Sequence, residues 1–225
     1  MTAYLSVQDL GLREYGEVLE LQRSFCRRRI SGELTDDVLL LVEHEPVITL
    51  GRGTRPASLP LSRVDLKRRE VAVFEVERGG DVTFHGPGQL VGYPIIDLRQ
   101  HREDLHWYLR RLESGLISSL DMLGIPAEAL PGLTGVWTGG RKIASIGIHV
   151  KQWVTFHGFA LNVTTNLDYF DLIVPCGIRD VIMTSVAQEL GRTDTALWDE
   201  TRQAVAESIA QALDLQPMYR SLVRT

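Results

Sequence analysis

Arg78-Gly-Gly-Asp-Val-Thr-Phe-His-Gly-Pro-Gly-Gln89 lies between two apolar runs, Val71-Ala-Val-Phe-Glu-Val76 and Leu90-Val-Gly-Tyr-Pro-Ile-Ile96. Both runs are rich in β-branched and aromatic residues and read as strands. Glycine at this density costs backbone entropy. Arg78, Asp81, Thr83, His85 and Gln89, all charged or hydrogen-bonding, stand between the glycines, so this is not a featureless linker. It reads as main chain kept open within a strand pair so that a ligand or another strand can approach it. It is not a phosphate loop: Gly-Lys-Ser/Thr is missing at the required place and no helix is visible after it.

Upstream, residues near Arg13–Arg29 read as a helix with Tyr15, Val18, Leu19, Gln22 and Phe25 on one side. Val38–Val42 and Val47–Leu50 read as strands, and the polar stretch from Gly51 to Pro60 reads as a mobile loop. Downstream, leucines at 105, 109, 112, 116, 120 and 123 recur at steps of three and four, predicting a helix over His101–Gly124. Gly124 and Pro126 mark its end. Thr195–Leu213 predicts a second amphipathic helix.

Lys142–Val150 and Trp153–Val163 read as a hairpin around Lys151-Gln152. That register sets Ser145 opposite Gly158 and Gly147 opposite Phe156. It gathers Ser145, Gly147, Gly158 and Ala160 on one face, either as a shallow trough or as a surface for close packing of a helix. On it, His149 and His157 point to opposite faces. Strands cluster centrally, helices flank them, and no repeat or composition break divides residues 1–225. The expected fold is a single α+β (α/β) domain with a mixed, largely antiparallel central sheet.

A hydrophobic fraction of 44% is ordinary for a chain with a packed core. The net charge of −5 argues against general nucleic-acid binding. The basic runs Arg27-Arg-Arg29 and Lys67-Arg-Arg69 read as solvated faces. No apolar run approaches bilayer-spanning length and the first residues lack a secretion pattern, so neither membrane nor export is expected. Two dissimilar cysteines, Cys26 and Cys176, make no disulfide framework and suit a reducing cytoplasm.

Cys176 sits in Val174-Pro-Cys-Gly-Ile178, where Pro175 fixes one dihedral and Gly177 frees the next. It is either a thiol presented at a rigid turn or a small buried hydrophobe. A reactive thiol needs a nearby base or cation, since at its free pKa only a few per cent is thiolate at neutral pH. His85, His149, His157 and Lys142 are the candidates. Lys142, after Gly139-Gly140-Arg141, stands at the mouth of a strand as a solvated turn charge or a desolvated proton acceptor. The histidines have no metal-ligand spacing, and no serine-nucleophile elbow occurs.

Four motifs together, Arg78 to Gln89, Gly140-Arg-Lys-Ile-Ala-Ser-Ile-Gly147, His157-Gly-Phe-Ala-Leu-Asn162 and Pro175-Cys-Gly-Ile178, resemble the lipoyl(octanoyl) transferase family in order and spacing. The resemblance implies a fold like the catalytic domain of lipoate and biotin protein ligases. It also implies transfer of an octanoyl group from octanoyl-acyl carrier protein to a lysine of a lipoyl domain, as in 2-oxoacid dehydrogenase complexes and the glycine cleavage H protein. Cys176 matches the acyl-accepting cysteine and Lys142 the lysine paired with it. Arg78, Gly79, Gly80, Asp81, Val82, Thr83, Phe84 and His85 match one acyl-substrate segment. Ser145, Ile146 and Gly147 match a second, and Gly158, Phe159 and Ala160 a third. No cofactor, no metal and a monomer are expected. Since acyl carrier protein is generally acidic, Arg52, Arg55, Arg141, Lys151 or Arg179 would steer it. The rival readings are an ATP-dependent lipoate or biotin-type ligase, a non-catalytic module binding acyl groups or carrier proteins, and a thioesterase.

Overall fold

The computed structural model describes residues 3–174 and 181–220. Seven strands form one sheet: β1 (Tyr4–Arg13), β2 (Asp37–His44), β6 (Gln89–Ile95), β7 (Val136–Thr138), β8 (Arg141–Lys151), β9 (Val154–Asn162) and β10 (Gln216–Tyr219). Their spatial order is β10-β1-β2-β6-β9-β8-β7. β10, β1 and β2 run parallel, and every other neighbouring pair is antiparallel. A second sheet has the order β4-β3-β5, from β3 (Val47–Leu50), β4 (Ala72–Glu75) and β5 (Val82–His85). The mixed, largely antiparallel sheet with flanking helices is the architecture expected from the sequence.

The continuous apolar run Val38–Val42 has a simple cause: β2 is covered on both faces. Val38, Leu40 and Val42 pack with Val18, Leu19 and Phe25 of α1 (Tyr15–Ser31). Leu39 and Leu41 join Leu112, Leu116, Val205 and Ile209 on the other face, which α3 (Leu105–Met122) and, after the short α4 (Val186–Leu190), α5 (Ala196–Ala212) cover. Asp104 caps α3 by accepting from Trp107 N, and Gly124 follows its end at φ 81°. The leucines at 112, 116 and 120 are buried as the periodicity requires, whereas Leu105, in the first turn, is 40% exposed. The smaller sheet has its own core, in which Ile48, Val82 and Phe84 meet Leu66 of α2 (Arg63–Arg68) and Phe170. Among the described residues no helix is long and apolar enough to cross a membrane.

The β8–β9 hairpin differs from its expected register. Ser145 faces Ala160, and Gly147 faces Gly158. The turn is Gln152-Trp153, one residue later than expected, with both residues at positive φ (49° and 63°). Sliding a turn by one residue moves cross-strand partners by two, and side chains alternate with period two. The four small residues therefore still share a face. His157, at φ 57°, breaks that alternation. Its ring stacks on Phe156 at 4.9 Å, and Phe156 meets His149 at 4.9 Å, so the two histidines end on the same side of the hairpin.

The expected mobile loop is instead pinned. Gly51, Arg52 and Gly53 donate main-chain hydrogen bonds to Asp81 O, Arg78 O and Gly80 O.

Candidate active site

The glycine-rich segment is a strap between the two sheets. Leaving β4, it crosses β8, where Gly79 N donates to Ile148 O at 2.8 Å. It then enters the smaller sheet as β5 and turns through Gly86–Gly88 into β6 at the centre of the larger one. What lies over the small-residue face is thus neither helix nor open water but this strap. A side chain at Gly147 would stand 3.1 Å from Gly79 O, and one at Gly51 would stand 2.5 Å from Gly80 O. Arg78 braces the strap: its Nη2 donates to Thr49 O (2.7 Å) and Thr49 Oγ1, and its Nη1 to Gly79 O. The Asp81 carboxylate accepts from Ser58 Oγ (2.6 Å) and Val82 N (2.7 Å).

Between strap and hairpin is a narrow cavity of about 50 Å³. The hairpin lines it with Ser145, Ile146, Gly147, Gly158, Phe159 and Ala160, and the strap with Arg78, Gly80, Asp81, Val82, Thr83 and His85. Fourteen residues were expected to bind substrate, and only Gly79 and Phe84 are outside this lining. Phe84 stacks on Tyr169 at 4.6 Å in the smaller core. Sequence reasoning missed Tyr15, Val91 and Tyr93 and named His157 only as a candidate helper of the thiol; these four complete the walls. Tyr15 was legible only as a helix core position, and β6 only as a strand. Nothing in the sequence announces the backbone turn that swings His157 in.

Burial favours the neutral forms of the histidines and tyrosines in and behind this wall. Burial, then the nearby His44, pushes His85 down to about 3. Burial likewise holds His44 at about 4, with Nε2 2.8 Å from Tyr93 Oη. Burial raises the phenols of Tyr15 and Tyr93. Glu77 is the fixed charge beside them. His157, with Nε2 at 3.7 Å, and the two-point contact from Arg23 hold its carboxyl at about 2.

A chain of side-chain amides leads from His85 to the strand bearing Lys142. His85 Nδ1 is 2.8 Å from Gln89 Oε1, Gln89 Nε2 donates to Asn162 Oδ1 (2.9 Å), and Asn162 Nδ2 donates to Thr184 O (2.9 Å). Thr184 N in turn donates to Lys142 O. The direction of this chain is forced. A main-chain carbonyl only accepts, so Asn162 must present its NH2 to Thr184 and its oxygen to Gln89. Gln89 then presents its own oxygen to His85. His85 therefore carries its proton on Nδ1 and keeps Nε2 as an acceptor.

Lys142 is 2% exposed. Its Nζ donates to Thr134 O at 3.3 Å and lies 5.3 Å from the Trp137 ring centroid. The main chain of Ile182–Thr184 clasps its backbone: Lys142 N donates to Ile182 O. A Cβ at Gly135 (φ 133°) would stand 2.7 Å from Ala144 O and 2.8 Å from Lys142 Cε. Cys176, the expected nucleophile, lies outside the described residues, as does Arg179.

The lipoyl protein ligase A/B catalytic domain model matches residues 14–212. The octanoyltransferase of Nostoc sp. (strain PCC 7120) is 46% identical over 206 residues, 92% of this chain and 90% of that protein. The octanoyltransferase of Koribacter versatilis is 50% identical over 196 residues, 85% and 78% respectively. That of Myxococcus xanthus is 46% identical over 93% of this chain, which spans only 60% of that protein. A lipoate-protein ligase A bound with ATP superposes with a TM-score of 0.73 at 16% identity, covering 100% of this chain and 90% of the other. The bi-partite lipoate protein ligase of Thermoplasma acidophilum gives 0.74 at 16% identity over 99% and 88%. The structural likenesses speak to fold alone, but with the family model and the sequence relatives they agree: the chain belongs to the lipoyl protein ligase A/B catalytic domain family, on its octanoyltransferase branch.

Proposed function

We propose that the chain moves an octanoyl group from octanoyl-acyl carrier protein to a specific lysine of lipoyl domains, by way of a thioester on Cys176 with Lys142 as proton acceptor. The observation that carries this reading is the strap-covered cavity, bounded by the small residues of β8 and β9, with Lys142 buried on β8 three positions from Ser145. The chain after Cys176 also returns to Lys142, pairing with it from Ile182.

In the first half-reaction Lys142 takes the thiol proton and the Cys176 sulfur attacks the thioester carbonyl. The carrier leaves as a thiol, and the octanoyl group stays on Cys176. One thioester replaces another, so this half is nearly balanced. In the second half the acceptor lysine amine attacks the acyl-enzyme, Lys142 removes its surplus proton, and the cysteine thiol is restored as the amide forms. Thioester to amide runs downhill, so no ATP is required. Main-chain N–H groups of the strap are the candidate donors to the oxyanion of each tetrahedral intermediate. Seven acyl carbons buried at about 0.8 kcal/mol each offer roughly 5 kcal/mol before costs. The acceptors are lipoyl domains of 2-oxoacid dehydrogenase complexes and the glycine cleavage H protein, and the setting is the cytoplasm.

Intact-mass measurement after incubation with octanoyl-acyl carrier protein, without ATP, tests the reading. One octanoyl adduct is expected on the wild-type chain and none on Cys176→Ser. Full transfer to a lipoyl domain by Cys176→Ala would overturn it, and free octanoate as the sole product would replace it with a thioesterase.

A further inference from the structure

A second depression lies against the acyl cavity, separated from it by the His157–Phe156 ring stack and by Arg78, whose carbonyl accepts from Arg52 N. Phe156 and Cys26 form its apolar part. Around these stand Arg23, Arg27, Arg52 and Lys151, four cations against the single carboxylate of Glu77. Arg23 is spent on Glu77, through Nε at 2.9 Å and Nη2 at 3.0 Å, and on Glu20. Arg27, Arg52 and Lys151 are exposed and make no ion pair among the described residues. They come from three separate places: α1, the loop after β3 and the end of β8. Their sequence spacing therefore does not explain their meeting.

The cluster is crowded enough to be felt. Burial, then Arg52, lowers His149, while Lys151 and Arg27 oppose the burial that raises the Cys26 thiol. Concentrating like charge in a chain of net charge −5 costs stability unless an anion answers it. Arg141, by contrast, is tied to Glu189 at 2.8 Å and is not part of this surface.

We propose that this depression is the docking site for the acidic face of the protein that delivers the acyl thioester. The proposal rests on the transferase reading above. A donor whose acyl chain enters the cavity must cover the surface beside it, and Arg27, Arg52 and Lys151 give this adjoining depression the complementary sign. Arg27 thereby moves from a solvated helix face to a recognition residue. Rim charges of this kind act mainly on association rate and are screened by salt.

The test compares two donors, octanoyl-acyl carrier protein and octanoyl-pantetheine, which carries the same thioester without a protein surface. The triple variants Arg27→Glu/Arg52→Glu/Lys151→Glu and Arg27→Gln/Arg52→Gln/Lys151→Gln are assayed with both. The expected result is a rise of about tenfold or more in KM for the carrier protein, larger for the glutamates. The octanoyl-pantetheine rate and the KM for the lipoyl domain should stay within about twofold. With the wild-type chain, added salt should slow only the carrier-dependent reaction. An unchanged carrier KM, an equal loss with both donors, or a rise in KM for the lipoyl domain instead would each overturn the docking assignment. No transfer from either donor by the wild-type chain would defeat the transferase reading itself, which separates the two failures.

Discussion

Asn162→Ala tests the amide chain directly. Asn162 gives one hydrogen bond to Thr184 O and takes one from Gln89 Nε2, both 2.9 Å. All three residues are buried, at 1% exposure or less for Gln89, Asn162 and Thr184. Truncation removes both bonds and leaves a buried donor and a buried acceptor unpaired, each costing about 1–3 kcal/mol. The expected loss is therefore about 2–6 kcal/mol, reduced if a water enters the vacated space. Urea denaturation measures it. The second readout is the tautomer of His85, from nitrogen chemical shifts of histidine-labelled protein. The wild-type chain should show a protonated Nδ1 and a bare Nε2, and Asn162→Ala should relax that preference because Gln89 is then free to reverse. A wild-type His85 protonated on Nε2, or a stability loss below about 1 kcal/mol, would refute the forced direction of the chain.

Two further outcomes are expected. His44 and His85 are held at about 4 and about 3 in the folded chain against 6.5 when free, so folding favours their neutral forms. Their contribution is complete above pH 6.5 and is lost as pH falls towards the folded values, at about 1.4 kcal/mol per pH unit for each residue. From pH 6.5 to 5, before Glu77 at about 2 titrates, the pair should cost about 3 kcal/mol; a urea series in which His85→Gln kept the full slope would disprove the assignment. Ser145→Leu should fill part of the cavity while the chain still folds, displacing about two or three methylenes of substrate at about 0.8 kcal/mol each. Octanoyl transfer should then fall relative to a shorter acyl group such as butanoyl, and unchanged chain-length preference would mean that the acyl chain lies elsewhere.

The parts of the fold set by periodicity were legible. α3 and α5 follow from their apolar spacing, and β2 from its unbroken run. The small-residue face survived a wrong register because a two-residue shift preserves sidedness. The turn itself was misplaced because Gln152-Trp153 lacks the Asn-Gly or Gly signature that positive φ normally demands. Its conformation is held from outside, by Leu98 N donating to Trp153 O at 2.8 Å. The division into two sheets was not legible either. Val71–Val76 and Leu90–Ile96 look like partners flanking a glycine loop, yet β4 and β6 lie in different sheets, because each finds its neighbours far away in sequence. Of the candidate site, the two glycine-bearing segments were readable as motifs. Their meeting over Gly147 was not, nor was the convergence of Arg27 with Arg52 and Lys151, since both are long-range contacts.

The strap over the acyl cavity touches the hairpin through main chain, with Gly79 hydrogen-bonded to Ile148 and no room for a side chain at Gly147 or Gly51. One wall of the cavity is therefore nearly closed to variation: most substitutions there jam the sheets together before they reshape the space. The opposite wall is made of side chains, at Ser145 and Ala160, that single substitutions can enlarge without moving backbone. Changes of substrate length in this scaffold should arise on the hairpin, and a library built to retune it gains most from randomising that side and leaving the glycines alone.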